Sequence, residues 1–215
     1  MMDKNSITSK TINIIGQARI YSLVDLILFA YAIEANKLEL TGIVLLHLSF
    51  LFYLEHMHKH AYRLPIPIFV WIIFGFAGII LYSKLAVVGF IIASILYVRK
   101  NQSPISFFSP IARGFQYYFL AAGILGFANP ISFLALALST VRNFAGDLRD
   151  IEKDKKEKTK TSPVIMGIKK DYKNVHLLAL FVTSFVWWYI AGISIVWLFC
   201  VYLIQIFTYN ITPRK

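Results

Sequence analysis

Eight apolar stretches, separated by short polar intervals, make up most of this chain and limit the folds that it can adopt. Hydrophobic residues account for 58% of the 215 residues, charged residues account for only 15%, and the mean hydropathy is +0.64. Soluble domains average about 45–50% apolar and about 25% charged residues, so this excess indicates an integral membrane protein. The stretches are Ile20–Ala35, Leu38–Leu54, Ile66–Tyr82, Leu85–Val98, Phe115–Ala128, Pro130–Val141, Val175–Ile190 and Ile193–Phe207.

The apolar stretches predict an all-α fold, a polytopic transmembrane bundle of about eight helices. In lipid every backbone amide and carbonyl needs an internal partner, which favours helices, and no barrel-like alternation is visible. Several stretches are shorter than the roughly 20 residues that cross a bilayer. We expect these helices to span it by including flanking residues, by tilting, or by lying in a locally thinned bilayer. We expect residues 1–215 to form a single membrane domain.

The basic residues predict how the bundle is oriented. With eight helices, 20 of the 22 Lys and Arg residues fall on the side that holds both termini, and only Lys37 and Lys84 fall on the other. The positive-inside rule therefore places the N-terminal segment 1–19 and the loop 142–174 in the cytoplasm of a multi-pass cell-membrane protein. The topology and the attraction of basic residues to membrane lipids explain the net charge of +11. We therefore expect no nucleic-acid partner.

The longest polar interval, 142–173, is the best candidate for chemistry. If the sixth helix continues through it, Asp147, Asp150 and Asp154 stand at i, i+3 and i+7 on one face. Carboxylates with this spacing could hold Mg²⁺, a hard cation that completes its shell with water and phosphate oxygens. Neighbouring Arg149 and Lys160 suit a diphosphate. The competing interpretation is a solvated, charged linker without a ligand.

This interval resembles the second aspartate-rich motif of the UbiA superfamily of membrane prenyltransferases. Nine residues within 26 positions fall in register with the motif, although Asn143, Gly146, Lys153, Lys158 and Ser162 depart from it. The matching residues are Arg142, Asp147, Asp150, Glu152, Asp154, Thr161, Pro163, Val164 and Gly167. A second segment, Tyr97-Val98-Arg99-Lys100, is similar to the segment that precedes the fifth helix of the family.

The resemblance implies a UbiA-like bundle that transfers an isoprenyl group from a polyprenyl diphosphate to an aromatic or lipid-like acceptor. It implies Mg²⁺ as cofactor, with Asp147, Asp150 and Asp154 as metal ligands and catalytic residues. The predicted diphosphate-binding residues are Arg142, Arg149, Arg99, Lys100, Tyr97, Lys160, Arg63 and His56. Aromatic faces stabilise an allylic cation, and Tyr117, Tyr118 and Phe119 are candidates for that role or for plain packing.

The first aspartate-rich motif of the family is degenerate in this chain. Anchoring the alignment on Arg63 puts Ser49, Phe52 and His56 at the three aspartate positions, and Glu55 is the acidic residue of the loop. Histidine prefers softer metals than magnesium, although a protonated imidazole can contact diphosphate oxygens. The alternative function is therefore a catalytically impaired UbiA-like protein that binds an isoprenoid or a partner without turnover.

Overall fold

The computed structural model describes residues 13, 15–58, 65–99, 105–172 and 174–211. Within those ranges the chain is helical and contains no β-strand, so the all-α prediction is confirmed. Eight helices of 12 or more residues coincide with the eight apolar stretches. The α-helices are α1 Ile20–Ala32, α2 Lys37–His58, α3 Ile68–Tyr82, α4 Val87–Val98, α5 Ser109–Leu125, α6 Pro130–Arg149, α7 Ile151–Lys156, α8 Ser162–Ile165, α9 Val175–Ala191 and α10 Ile195–Tyr209, with a 3₁₀ turn at Ile105–Phe108.

Local sequence signals set the junction between α5 and α6. Gly126, at φ 98°, ends α5 in a conformation that other residues rarely adopt. Asn129 then caps α6, because its side-chain oxygen accepts a hydrogen bond from the Ile131 amide at 2.8 Å. Pro130 occupies the first helical position, where its missing amide hydrogen costs nothing.

The chain divides into two compact units, the first formed by 1–83 with 187–215 and the second by 84–186. In the first unit α2 packs closely on α3. A Cβ added to Gly42 would lie 2.5 Å from the Tyr82 amide nitrogen, and one added to Gly78 would lie 2.9 Å from the Leu46 amide nitrogen. Elsewhere in this unit, α10 packs on α1.

In the second unit α5 lies between α4 and α6. Gly114 allows the α5 and α6 backbones to approach, since an added Cβ would meet the Thr140 hydroxyl and lie 2.6 Å from the Leu136 carbonyl oxygen. Gly89 similarly leaves room on α4 for the Phe119 ring. These contacts bring the polar residues of three helices into one interior.

One described helix has the length and apolarity to cross a membrane, the segment Lys37–Met57 of α2, which has 21 residues. Five other apolar helices have between 12 and 17 residues. Large apolar side chains are nevertheless exposed along them, including Phe76 on α3, Phe199 and Phe207 on α10. Cys200 is also exposed on α10.

Two helices are longer than the hydropathy of the sequence predicts. The structure starts α5 at Ser109 rather than 115, and it continues α6 to Arg149 rather than ending it at 141. Arg113 and Arg142, which the charge count treats as loop residues, therefore lie inside helices and are 5% and 3% exposed. The predicted loop 142–174 begins as a helix with buried polar side chains.

Candidate functional site

The polar interior of the second unit is organised around Tyr117 of α5, which is fully buried. The Arg142 guanidinium donates a hydrogen bond to the Tyr117 hydroxyl at 2.7 Å, and its Cζ lies 4.9 Å from the ring centroid. The Cζ of Arg113 lies 5.4 Å from the same centroid. Two guanidinium groups from two helices thus converge on one aromatic ring, where cation–π attraction holds them.

Further hydrogen bonds extend this network to α4. Arg113 donates to the Gln116 side-chain oxygen, and the Gln116 amide donates to the Ser94 hydroxyl at 2.7 Å. The Tyr97 hydroxyl donates to the Asn143 side-chain oxygen at 3.1 Å. The predicted binding residues Tyr97 and Arg142 therefore belong to one buried polar interior, and Asn143 provides a neutral acceptor where the family motif has an acid.

The continuous acidic helix that the aspartate spacing requires is interrupted at Asp150. α6 ends at Arg149, Asp150 has φ −108° and ψ 19°, and α7 starts at Ile151. Asp side chains compete for nearby hydrogen-bond partners and so favour such junctions over helix interiors. The three aspartates therefore do not share the face of a single uninterrupted helix.

Asp150 faces Arg149 rather than its acidic neighbours. The Arg149 Nε and Nη2 atoms donate to the two Asp150 carboxylate oxygens at 2.7 Å and 2.5 Å. The Nη1 atom of Arg149 lies 2.9 Å from His176 Nδ1. A guanidinium cannot accept a hydrogen bond, so Nδ1 must accept and the imidazole proton sits on Nε2.

Asp154 is 4% exposed and accepts a hydrogen bond from the Thr161 hydroxyl at 2.9 Å. Thr161 is fully buried, and the next residue, Ser162, donates to the Phe107 carbonyl oxygen at 2.6 Å. The motif residues Asp154, Thr161 and Pro163 thus pack into a folded segment. The intervening residues 155–158, together with Lys160, are exposed.

The remaining predicted site residues are more scattered. Asp147 is buried on α6, Lys160 and Arg99 are exposed, and His56 is partly exposed at the end of α2 in the first unit. Lys100 and Arg63 lie outside the described residues.

The degenerate first motif forms packing contacts in the first unit. The Ser49 hydroxyl donates to the Trp71 carbonyl oxygen at 2.7 Å, and the Phe52 ring lies 5.7 Å from the Phe74 ring. Glu55 forms an ion pair with Arg19 at 3.3 Å. Ser49 and Phe52 therefore act in packing between α2 and α3.

The carboxylates of the acidic segment do not fit a metal centre as they stand. Arg149 contacts both Asp150 oxygens, and Thr161 contacts Asp154. Among the described residues, no group of three or more His, Cys, Asp or Glu side chains is arranged to hold a metal ion. The magnesium site stays a prediction from the sequence.

The sequence reasoning missed Arg113, Gln116, Ser94 and the pairing of Arg149 with His176. Arg113 was missed because the fifth stretch was started at Phe115, although Arg113, Gln116 and Tyr117 have the i, i+3, i+4 spacing of one helical face. Pro110 after Ser109 signals an earlier helix start.

No family model, no curated protein and no solved structure significantly matches the chain.

Proposed function

We propose that this chain is a multi-pass membrane prenyltransferase of the UbiA type. It transfers an isoprenyl group from a polyprenyl diphosphate to an aromatic or lipid-like acceptor. The N-terminus and the acidic segment face the cytoplasm in this proposal, in keeping with the distribution of Lys and Arg along the sequence.

The distribution of apolar and polar side chains supports the membrane assignment. Soluble monomers rarely expose large contiguous apolar patches, whereas α3, α4, α9 and α10 each expose several large apolar residues. Polar side chains such as Gln116, Gln205 and His47 are fully buried instead. The shorter helices can span a thinned bilayer or tilt with help from their flanking residues.

The observation that carries the function is the convergence of the Arg142 and Arg113 guanidinium groups on Tyr117. Ionisable residues inside a membrane bundle are costly, and they commonly mark sites that handle charged ligands. Arginine also suits phosphate recognition, because its planar group presents several donors to adjacent oxygens. A diphosphate head group with an apolar tail matches a cationic site among apolar helices.

The proposed reaction uses these residues in separate roles. The bond between the first prenyl carbon and the diphosphate oxygen breaks, and both electrons stay with the diphosphate. Arg142 and Arg113 stabilise this growing negative charge. The freed carbon bonds to the acceptor nucleophile, which loses a proton, and the buried Asp147 is our candidate to accept that proton.

The degenerate first motif favours a second candidate function, binding of an isoprenoid or a partner without turnover. Ser49 and Phe52 make packing contacts at positions where the family has acids. A chain that kept the cationic interior and lost those acids could retain affinity for a prenyl diphosphate. Release of diphosphate separates the two candidates.

The test measures diphosphate release from farnesyl or geranylgeranyl diphosphate by purified protein with candidate acceptors. We expect release by the wild type and at least tenfold less by Arg142→Gln, since one charge-assisted contact is worth about 1.5–3 kcal/mol. Lys169→Gln is the matched control, because it removes one positive charge from an exposed position.

Equal release by wild type and Arg142→Gln would refute the proposed site. Absence of release, together with a rise in thermal stability when a prenyl diphosphate is added, would establish the binding function instead.

A further inference from the structure

The acidic segment carries hydrogen bonds that compete with metal coordination. The two Asp150 oxygens accept from Arg149, at 2.7 Å and 2.5 Å, and this pair is continued by the Arg149–His176 contact. A metal ion at Asp150 would have to displace a guanidinium that is itself anchored on α9. The ion pair therefore fixes the end of α6.

Asp154 has an equally specific structural partner. Its carboxylate accepts from the Thr161 hydroxyl, and its carbonyl oxygen accepts from the Thr159 amide at 2.8 Å. Thr159 and Thr161 are 2% and 0% exposed, so both bonds lie in the protein interior. Together they fold the 155–162 segment back onto α7 and bring Ser162 to the Phe107 carbonyl.

We infer that Asp150 and Asp154 are positioning residues that hold this segment through Arg149 and Thr161, and that the chain binds a diphosphate head group without a divalent cation. The second half of this inference rests on the proposed function. The guanidinium groups of Arg142 and Arg113, which converge on Tyr117, supply the positive charge that a metal would otherwise provide.

The degenerate first motif supports this inference from a separate region of the chain. A divalent ion that bridges a diphosphate uses carboxylate ligands, and the positions aligned with the first-motif aspartates hold Ser49, Phe52 and His56. Ser49 and Phe52 are engaged in packing. Asp150 and Asp154 in one segment, and Ser49 and Phe52 in the other, thus have other partners in this chain.

The first experiment measures farnesyl diphosphate binding to the full-length protein in detergent by calorimetry, once with EDTA and once with Mg²⁺. We expect dissociation constants that agree within about threefold, a difference of less than 0.7 kcal/mol. Binding that requires Mg²⁺ overturns the inference and leaves the proposed function standing. Absence of binding in both buffers refutes the proposed function and metal-free binding with it.

The second experiment tests the positioning role of Asp154 with three single variants and one double variant. Thr161→Val and Asp154→Ala each remove the same hydrogen bond, so both should lower Tm, and the double variant should lower it by less than the sum of the two single effects. Asp154→Asn keeps an oxygen acceptor and should restore Tm and binding. A metal ligand behaves differently: Asp154→Asn would lose Mg²⁺-dependent stabilisation that Thr161→Val retains, and that result would overturn the positioning role.

Discussion

The end of α2 and the end of α6, where the sequence predicts the two ligand-binding motifs, differ in the side-chain contacts that the structure gives them. At the end of α2 the motif positions hold a serine bonded to a backbone carbonyl and a phenylalanine packed on another ring. At the end of α6 the motif residues Arg142, Asp147 and Asp154 are buried polar groups. In the first region the motif positions act in packing between helices, and in the second they carry buried charged groups with hydrogen-bond partners.

The comparison shows that polar residues are buried in this helical protein where other side chains satisfy their hydrogen bonds. Arg142 has Tyr117, Asp154 has Thr161, and each bond lies where water cannot substitute for it. In α2 the positions of Ser49 and Phe52 lack such charged groups, and these two residues contact α3 through a hydrogen bond and a ring contact instead. The chemistry that we propose for this chain therefore belongs to the second unit.

Restoring an acid in the first region should have the largest effect. Phe52→Asp removes a ring that is 7% exposed and leaves a carboxylate in its place. Loss of the ring alone costs about 3–5 kcal/mol, and the buried charge adds to it, so we expect little folded protein by size-exclusion chromatography. Met57→Asp, at a 51% exposed position of the same helix, should fold normally.

A folded Phe52→Asp protein with Mg²⁺-dependent binding would contradict the comparison. It would show that the α2 region is a metal site lacking only its ligand, and not a packed helix end.

The close approach of α5 and α6 should be the next most sensitive feature. Gly114→Val forces side-chain atoms against Thr140 and the Leu136 carbonyl, and overpacking of this kind costs about 1–3 kcal/mol or more. We expect a lower Tm and weaker prenyl diphosphate binding, because α5 carries Tyr117 and α6 carries Arg142. Ala137→Val, at an exposed position of α6, should leave both unchanged. Unchanged binding in Gly114→Val would separate the helix contact from the site.

Hydropathy predicted the eight long helices because each has a run of apolar residues. It failed where polar residues are buried. Residues 142–149 look like a loop by hydropathy, yet Arg142 and Asn143 continue α6 because Tyr117 and Tyr97 satisfy them. A hydropathy scale assigns each residue a single value and cannot include a partner that comes from another helix.

The sequence predicted some residues of the candidate site but not the contacts that those residues make. Motif spacing predicted Arg142, Asp147, Asp150 and Asp154 as site residues. Spacing alone could not show that the backbone departs from the helix at Asp150, or that Arg149 and Thr161 contact the carboxylates. Those features depend on competition for nearby hydrogen-bond partners and on tertiary contacts.

The hydroxyl groups of the network should have intermediate and unequal effects. Tyr117→Phe removes an acceptor of a charged group, a bond worth about 1.5–3 kcal/mol, while Tyr97→Phe removes a neutral bond worth about 0.5–1.5 kcal/mol. We therefore expect a larger fall in Tm and in prenyl diphosphate affinity for Tyr117→Phe, because its hydroxyl positions Arg142. Equal effects would show that the Arg142 bond is no stronger than the Tyr97–Asn143 bond.

The smallest effect should come from the first region, where Ser49→Ala removes one hydrogen bond to the Trp71 carbonyl. That carbonyl belongs to α3 and loses its second hydrogen-bond partner. The free energy of unfolding, measured by thermal unfolding, should therefore fall by about 0.5–1.5 kcal/mol. Prenyl diphosphate affinity should not change, since the serine acts in packing between α2 and α3. A Ser49→Ala protein with normal Tm and tenfold weaker binding would contradict this assignment and would give Ser49 a role in ligand binding.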